Sequence, residues 1–428
     1  MSAAAARRKK QLQKRGAGKS NGDSSNNDPI EMRLETLLHD PTLSDESVAY
    51  EALQLAQSAV RRNVKIGNFI KACDVAYNSS LDLLVKSGRV SVSSQLLAVL
   101  VQVLSETHTS CTDEWVTRFT KLDEAYRTAL DADTTMSSDE RGRLQRLHLQ
   151  FLKKGLKWSN DLGNVRFGYK GMHALLGDHC WTMSCDDAVV GTEEERKEAA
   201  AKAQSSDVSA GDEYEDDEAY LDIELRDEAV SHYALAEKVD VILDKLKSLP
   251  PPTADELKMG HVCPPAQRDA LLTRSILVLL AIENLRDARV LASSYLREIE
   301  NPTRSDAELK KSYLDKTDGK APSHVMFCCM LIRICEKDTK TAPLFNWLVR
   351  NFGAELGTMH NPNVIKTYTT KIGRVYFDIQ PPPSMMATME NMMSMMGGGG
   401  MGGGAGGMPG GMNPQMMMQA MQAMGGGM

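Results

Sequence analysis

The chain has 428 residues, 42% of them hydrophobic and 25% charged, enough length for roughly two to three domains and for a sizeable core. Its longest apolar run, Ile276 to Ile282, is too short to cross a bilayer, and its eight cysteines include no C-x-x-C pair and follow no secretory signal. That pattern argues for reduced thiols in a cytosolic protein and against a disulfide framework. The net charge of -7 conceals a basic block and an acidic block with a nearly neutral remainder, so no global field points to nucleic acid or to an acidic membrane surface.

Residues 1–28 hold the basic block, with Arg7, Arg8, Lys9, Lys10, Lys14, Arg15 and Lys19 and no acid among the first twenty. Their composition reads as a solvated tail, with a nuclear-import signal or an acidic partner as the alternatives. Residues 29–186 read as helices throughout. Pro29 suits a first turn, and Asp28 or Ser44 offers a cap. Ala49, Leu53, Ala56 and Val60 form one apolar stripe. A second helix supplies Phe69, Ala72, Cys73 and Ala76 against it, after a turn at Ile66, Gly67 and Asn68. The G-x-[aromatic]-x-x-A spacing of Gly67, Phe69 and Ala72 is that of a tetratricopeptide hairpin.

Ser91 opens an apolar helix through Leu96, Leu97, Leu100, Val101 and Leu104. Trp115, Phe119, Leu122 and Tyr126 share one face of the next, and Leu144, Leu147, Phe151, Leu152 and Leu156 mark another that starts at Ser137 to Glu140. Residues 187–225 are an acidic insertion whose like charges oppose packing. Helical periodicity returns at Ala229 through Leu249 and stops at Pro250 to Pro252. It resumes over Pro265 to Ile282 and Leu285 to Ile299, then at Val325 to Glu336, Ala342 to Phe352 and Asn363 to Phe377, completing a second helical region over 226–380. Long helices joined by short turns, with hardly any period-two run, predict an all-α stack in which each hairpin buries its face against its neighbours.

Residues 381–428 open on Pro381 to Pro383 and hold 16 of the 25 methionines beside a single charge, Glu390. Glycine makes the segment flexible, while Met385, Met389, Met392 and Met396, and then Met417, Met421 and Met424, fall at helical spacing. Polarizable, unbranched side chains suit capture of hydrophobic segments.

No catalytic constellation is present: there is no P-loop, no G-x-S-x-G and no H-E-x-x-H. His173, His179, Cys180 and Cys185 form the best metal candidate, but their irregular spacing favours structural side chains over a zinc site. Cys328 and Cys329 read as core. No cofactor is implied. Two further features suit protein binding: the basic hairpin end at Arg61, Arg62 and Lys65, and the large apolar groups Phe345, Trp347, Leu348, Phe352, Tyr376 and Phe377 at the terminal end of the stack.

At these residues the chain resembles the Golgi-to-ER traffic protein 4 family, the cytosolic scaffold of the guided-entry pathway for tail-anchored membrane proteins. The resemblance rests on the opening hairpin NVKIGNFIKACDVAYNSSLDLLVKSG and on LKWSNDLGNVRFGYKGMH, where Trp158, Ser159, Gly168, Met172 and His173 fall where the family has W-S, then G-x-x-x-L-H. It rests too on KIGRVYFDIQPPP, with Gly373, Tyr376, Phe377 and Pro381. It implies a right-handed α-solenoid of tetratricopeptide-like hairpins that does no chemistry and does not insert into the membrane. Its N-terminal half would dock a targeting ATPase through Arg61, Arg62 and Lys65. Its C-terminal half would hold a ubiquitin-like adaptor at Phe345, Trp347, Leu348, Tyr376 and Phe377, and through it an upstream co-chaperone. Gln95 departs from the family's aspartate before Leu96, and the insertion and Met/Gly tail exceed the family pattern. Alternatives from other classes are a holdase that binds transmembrane segments through Met385, Met389, Met392, Met396, Met417 and Met421, and a generic helical-repeat subunit.

Overall fold

Small residues set how closely the first helices approach. In helix α2 (Glu46–Ile66) the stripe of Ala49, Leu53, Ala56 and Val60 is buried, and Ala72, Cys73 and Ala76 of α3 (Phe69–Asp82) are buried with it. Helix α1 (Pro29–Leu38) packs on α2 as well, its Leu34 and Leu38 in one buried cluster with Ala49, Leu53 and Ala56. Phe69, expected to fill the seam, is instead 42% exposed: it shares the face of Ala72, Cys73 and Ala76, but as the first residue of α3 it stands at the mouth of the turn, past Val60, the last residue of the buried α2 stripe. Asp28 lies outside the described residues, and Ser44 does not cap α2. Its N-cap is Asp45, Ser44 ends a short 3-10 turn over Pro41–Ser44, and it is Asp40 whose carboxylate accepts the Thr42 N–H at the start of that turn.

The structure, a computed structural model, describes residues 29–163, 165–186, 222–250, 267–300, 323–337 and 339–380. The described residues contain helices and no strand. Beyond α3 come α4 (Val90–Glu106), α5 (Asp113–Ala132), α6 (Ser138–Leu162), α7 (Lys170–Met183), α8 (Asp222–Leu235), α9 (Val239–Ser248), α10 (Gln267–Ala281) and α11 (Leu285–Tyr295). The last four are α12 (Ser323–Cys335), α13 (Ala342–Asn351), the single turn α14 (Gly353–Gly357) and α15 (Pro362–Phe377). Each helix packs on the next in sequence or on the next but one: α2 on α3 and α4, α3 on α5, α4 on α6, α5 on α7, α8 on α10, α9 on α11 and α10 on α12. That pattern of near neighbours is an α-solenoid of helical hairpins. The acidic insertion does not interrupt it, because α7 and α8 pack directly on each other. At the far end α15 folds back against α10 and α13, so the chain itself covers part of the last hairpin. All packing described here lies within the compact unit that ends at Ile379.

One turn chemistry recurs. Gly67 (φ 83°), His108 (φ 55°), Glu237 (φ 58°) and Glu283 (φ 70°) are left-handed. In each case the following N–H reaches back five residues: Asn68 to Asn63, Thr109 to Leu104, Lys238 to Tyr233 and Asn284 to Leu279, at 2.9–3.1 Å. These are Schellman closures that satisfy the last helical carbonyls. The closure at Glu237 divides the periodic run Ala229–Leu249 into α8 and α9, where unbroken periodicity predicts one helix. Three of the four positions hold a side chain that pays a steric cost for its backbone. His108→Gly is therefore expected to stabilise the protein by about 1 kcal/mol, read as a rise in the midpoint of urea unfolding; an unchanged or lower midpoint would contradict this.

The core is polar at the junctions between hairpins. Asp227 of α8 accepts from Arg274 Nη2 of α10 at 2.7 Å, with side-chain exposures of 9% and 4%, and from His360 Nδ1 at 2.9 Å. Arg274 also donates to the His360 carbonyl at 2.7 Å, so three elements meet on one carboxylate. Burial opposes charge on His360, but hydrogen bonds to Asp227 and Glu224 outweigh it and raise its pKa to about 9. Burial, with His232 beside it, lowers His173 to about 4, and burial lowers His324 to about 4.

Between about pH 4 and 6.5 the unfolded chain binds protons that folded His173, His324 and His179 refuse, so acid costs stability; above 6.5 the unfolded chain gives up the proton that folded His360 keeps, so the stabilisation from His360 is progressively lost, completely above about pH 9. Stability should peak near pH 6.5 and fall more steeply on the acid side, by up to about 4.1 kcal/mol per pH unit for the three histidines against about 1.4 for His360 on the alkaline side, read as the unfolding free energy from urea titrations at each pH. A flat profile from about pH 5 to pH 8 would contradict these assignments.

Candidate partner-binding surfaces

The turn between α2 and α3 presents a concentration of exposed apolar surface beside positive charge. Ile66 is 68% exposed, Ile70 79% and Phe69 42%, and Arg61, Arg62 and Lys65 are exposed on the last turns of α2. Gly67 makes this possible, since its left-handed conformation reverses the chain within one residue and sets Ile66 and Ile70 on either side of the bend. Ile66 falls outside the Ala49–Val60 stripe and Ile70 outside the Ala72–Ala76 face, so neither has a hairpin partner. Exposed β-branched residues at adjoining positions, next to three cations, make a surface that suits an acidic partner with an apolar patch. The sequence signalled the charges, and Ile66 and Ile70 fall off both stripes; the exposure of Phe69 had no signal, because its spacing is that of the Ala72–Ala76 face. Gln95 lies exposed on α4.

At the other end the structure separates the five aromatic and leucine candidates. Phe345 and Leu348 of α13 and Phe377 of α15 are buried at 5%, 0% and 4%. The rings of Phe345 and Phe377 stack with centroids 4.7 Å apart. A Cβ on Gly373 would come within 3.0 Å of Phe345, so that corner is filled. Tyr376 is half-buried, with its hydroxyl inside. Trp347 is 55% exposed, and Leu344, three residues earlier on the same helix, is 54% exposed. The two form an outward ridge on α13 beside the buried Phe345–Leu348 face. A partner docking here therefore meets Trp347 and Leu344, while Phe345, Leu348 and Phe377 shape the support beneath.

The remaining chemical candidates resolve into structure. His173 does not join His179, Cys180 and Cys185. Its Nδ1 faces His232 Nδ1 at 2.8 Å and its Nε2–H donates to the Phe167 carbonyl at 2.6 Å. Cys180 is fully buried and Cys185 exposed. Cys328 is buried and lies 3.5 Å from the Thr273 hydroxyl, and burial raises the Cys329 thiol to about 11, leaving neither as a thiolate. Among the described residues no helix is long and apolar enough to cross a membrane. Met385, Met389, Met392, Met396, Met417 and Met421, the basic tail and the insertion over 187–221 lie outside the described residues.

Several of the signature residues are structural. The Trp158 indole N–H donates to the Thr109 carbonyl at 2.9 Å, Ser159 bonds back to Leu156, and Met172 is buried. Gly168 (φ 84°) sits where a side chain would collide with Asn160. These residues build the corner between α6 and α7.

An α-solenoid built of antiparallel hairpins over the described residues is a helical-repeat protein. The chain belongs to the Golgi to ER traffic protein 4 family, whose model matches residues 67–397. It is 21% identical over 369 residues to Protein GET4 of Arabidopsis thaliana, covering 82% of this chain and 93% of that protein. The crystal structure of C. therm. Get4 is similar at 17% identity with a TM-score of 0.47, covering 89% of this chain and 99% of that one.

Proposed function

We propose that this chain is a non-enzymatic scaffold of the guided-entry pathway, holding a targeting ATPase at one surface and a ubiquitin-like adaptor at another, so that tail-anchored membrane proteins are delivered to the endoplasmic reticulum. The observation that carries the reading is the α2–α3 tip, where Ile66, Phe69 and Ile70 are exposed beside Arg61, Arg62 and Lys65. Leaving three large apolar groups in water is unfavourable for a free protein and favourable for one that spends its time bound. The adaptor, which recruits the upstream co-chaperone, is assigned to the Leu344–Trp347 ridge. Holding both partners on one body replaces a bimolecular encounter with an intramolecular one, and its rate gain needs no catalytic group.

Pull-down of the ATPase and the adaptor by full-length protein tests the reading, and recovery of neither would remove it. Trp347→Ala is expected to weaken adaptor binding by about 2 kcal/mol, as an exposed aromatic anchor does, and to leave ATPase binding unchanged. Equal loss of both partners would contradict the assignment of separate surfaces.

A further inference from the structure

Between α9 and α11 runs a groove of about 790 Å³ whose lining is apolar below and acidic around. Val239 and Leu243, one turn apart on α9, make its floor with Ile282 and Val290, the last of them 48% exposed. Four carboxylates stand around that floor, those of Glu237, Asp240, Glu283 and Asp287, against the single cation Arg286, which leaves the lining with a net charge of -3. Two of the four already hold basic head groups of this chain. Glu237 takes the Lys170 ammonium, and Glu283 takes the Arg166 guanidinium at 3.0 Å. Both of those cations are more than half exposed, so each pair is weak and open to exchange. Asp240 is exposed and makes no ion pair among the described residues.

We propose that this groove seats the α2–α3 tip of a second copy of the chain. The tip presents the three cations Arg61, Arg62 and Lys65 around the exposed side chains of Ile66, Phe69 and Ile70. Three positive charges thus meet a lining of -3, and three apolar groups meet an apolar floor, so the two patches match in charge and in hydrophobicity at once. A second copy brings that tip at the same concentration as the groove. Tip and groove are different patches, which makes the contact heterologous: a copy bound through its tip keeps its groove open, and association runs past two copies unless a ring closes. One hairpin end in one groove buries less than a standard interface, so a dissociation constant on the order of 100 µM is expected, rising with salt.

Sedimentation of full-length protein from about 10 to about 500 µM should show a weight-average mass that climbs with concentration and falls when sodium chloride is raised from about 50 to about 500 mM. Lys65→Glu/Ile70→Asp at the tip and Asp240→Asn/Val290→Gln in the groove change exposed residues only, so the helical circular-dichroism signal should be retained. Each pair should weaken association at least about tenfold. Mixed together, the two variants should form a dimer with one copy of each and nothing larger, because a single intact tip then meets a single intact groove. Hydrogen exchange in concentrated wild-type protein should slow at both 66–70 and 239–243, a readout that needs no variant. Wild-type protein that stays monomeric, slowing at one of the two segments alone, or a mixture of variants that stays monomeric would overturn the proposal. So would association that the groove variant leaves untouched, the result expected if the acidic insertion over 187–221 held the tip instead. The targeting ATPase should dissolve the association by taking the same tip; that competition rests on the function proposed above, whereas sedimentation of the protein alone does not.

Discussion

Ile70→Asp combined with Lys65→Glu is expected to weaken binding of the targeting ATPase by about two orders of magnitude while leaving the melting temperature within experimental scatter. Both side chains are exposed, so neither substitution removes core packing, and surface changes of that kind usually cost little stability. Binding is another matter. An apolar group that enters a partner's pocket contributes about 2 kcal/mol, and placing a charge there adds a desolvation cost. Reversing Lys65 turns attraction for an acidic partner into repulsion, which should lower the association rate and its dependence on salt. Surface plasmon resonance at two ionic strengths separates these effects. An unchanged affinity would show that the tip is not the docking surface.

Phe119→Ala is expected to cost about 3–5 kcal/mol, a large part of the stability of a typical domain. Phe119 is fully buried, and its ring lies 5.1 Å from that of Phe151 and 5.8 Å from that of Trp158. Trp158 continues to Trp115 at 6.1 Å, and Trp115 to Tyr77 at 6.4 Å, so one run of aromatic groups joins α3, α5 and α6. There is little space for the core to relax, because a Cβ on Gly155 would already stand 2.5 Å from the Phe119 ring. Chemical denaturation should show a lower midpoint with an unchanged slope. A loss below about 1 kcal/mol would mean that neighbouring hairpins collapse into the cavity.

The helical character and order of the hairpins could be read from the sequence because small and branched apolar residues recur at helical spacing, as at Ala49, Leu53, Ala56 and Val60, all buried. What escaped reading depends on which way a single turn faces. In α6 Leu147 is 36% exposed while Gln145 and His148 face inward, so the core there contains polar groups that no apolar template anticipates. Glu237 ends α8 by adopting a glycine-like backbone, which residue type does not advertise. Likewise Phe345 and Trp347 look alike in sequence, yet one supports the α13–α15 corner and the other points to solvent. The basic half of the α2–α3 tip was legible as charge. Its apolar half emerged only when both stripes flanking the turn had been assigned in three dimensions.

The central claim is that two surfaces on one chain hold two partners at once. Multi-angle light scattering on full-length protein mixed with the targeting ATPase and the ubiquitin-like adaptor tests it directly. A single species whose mass requires all three components is expected, with the ATPase lost by Ile70→Asp/Lys65→Glu and the adaptor lost by Trp347→Ala. A mixture in which either partner displaces the other would contradict it.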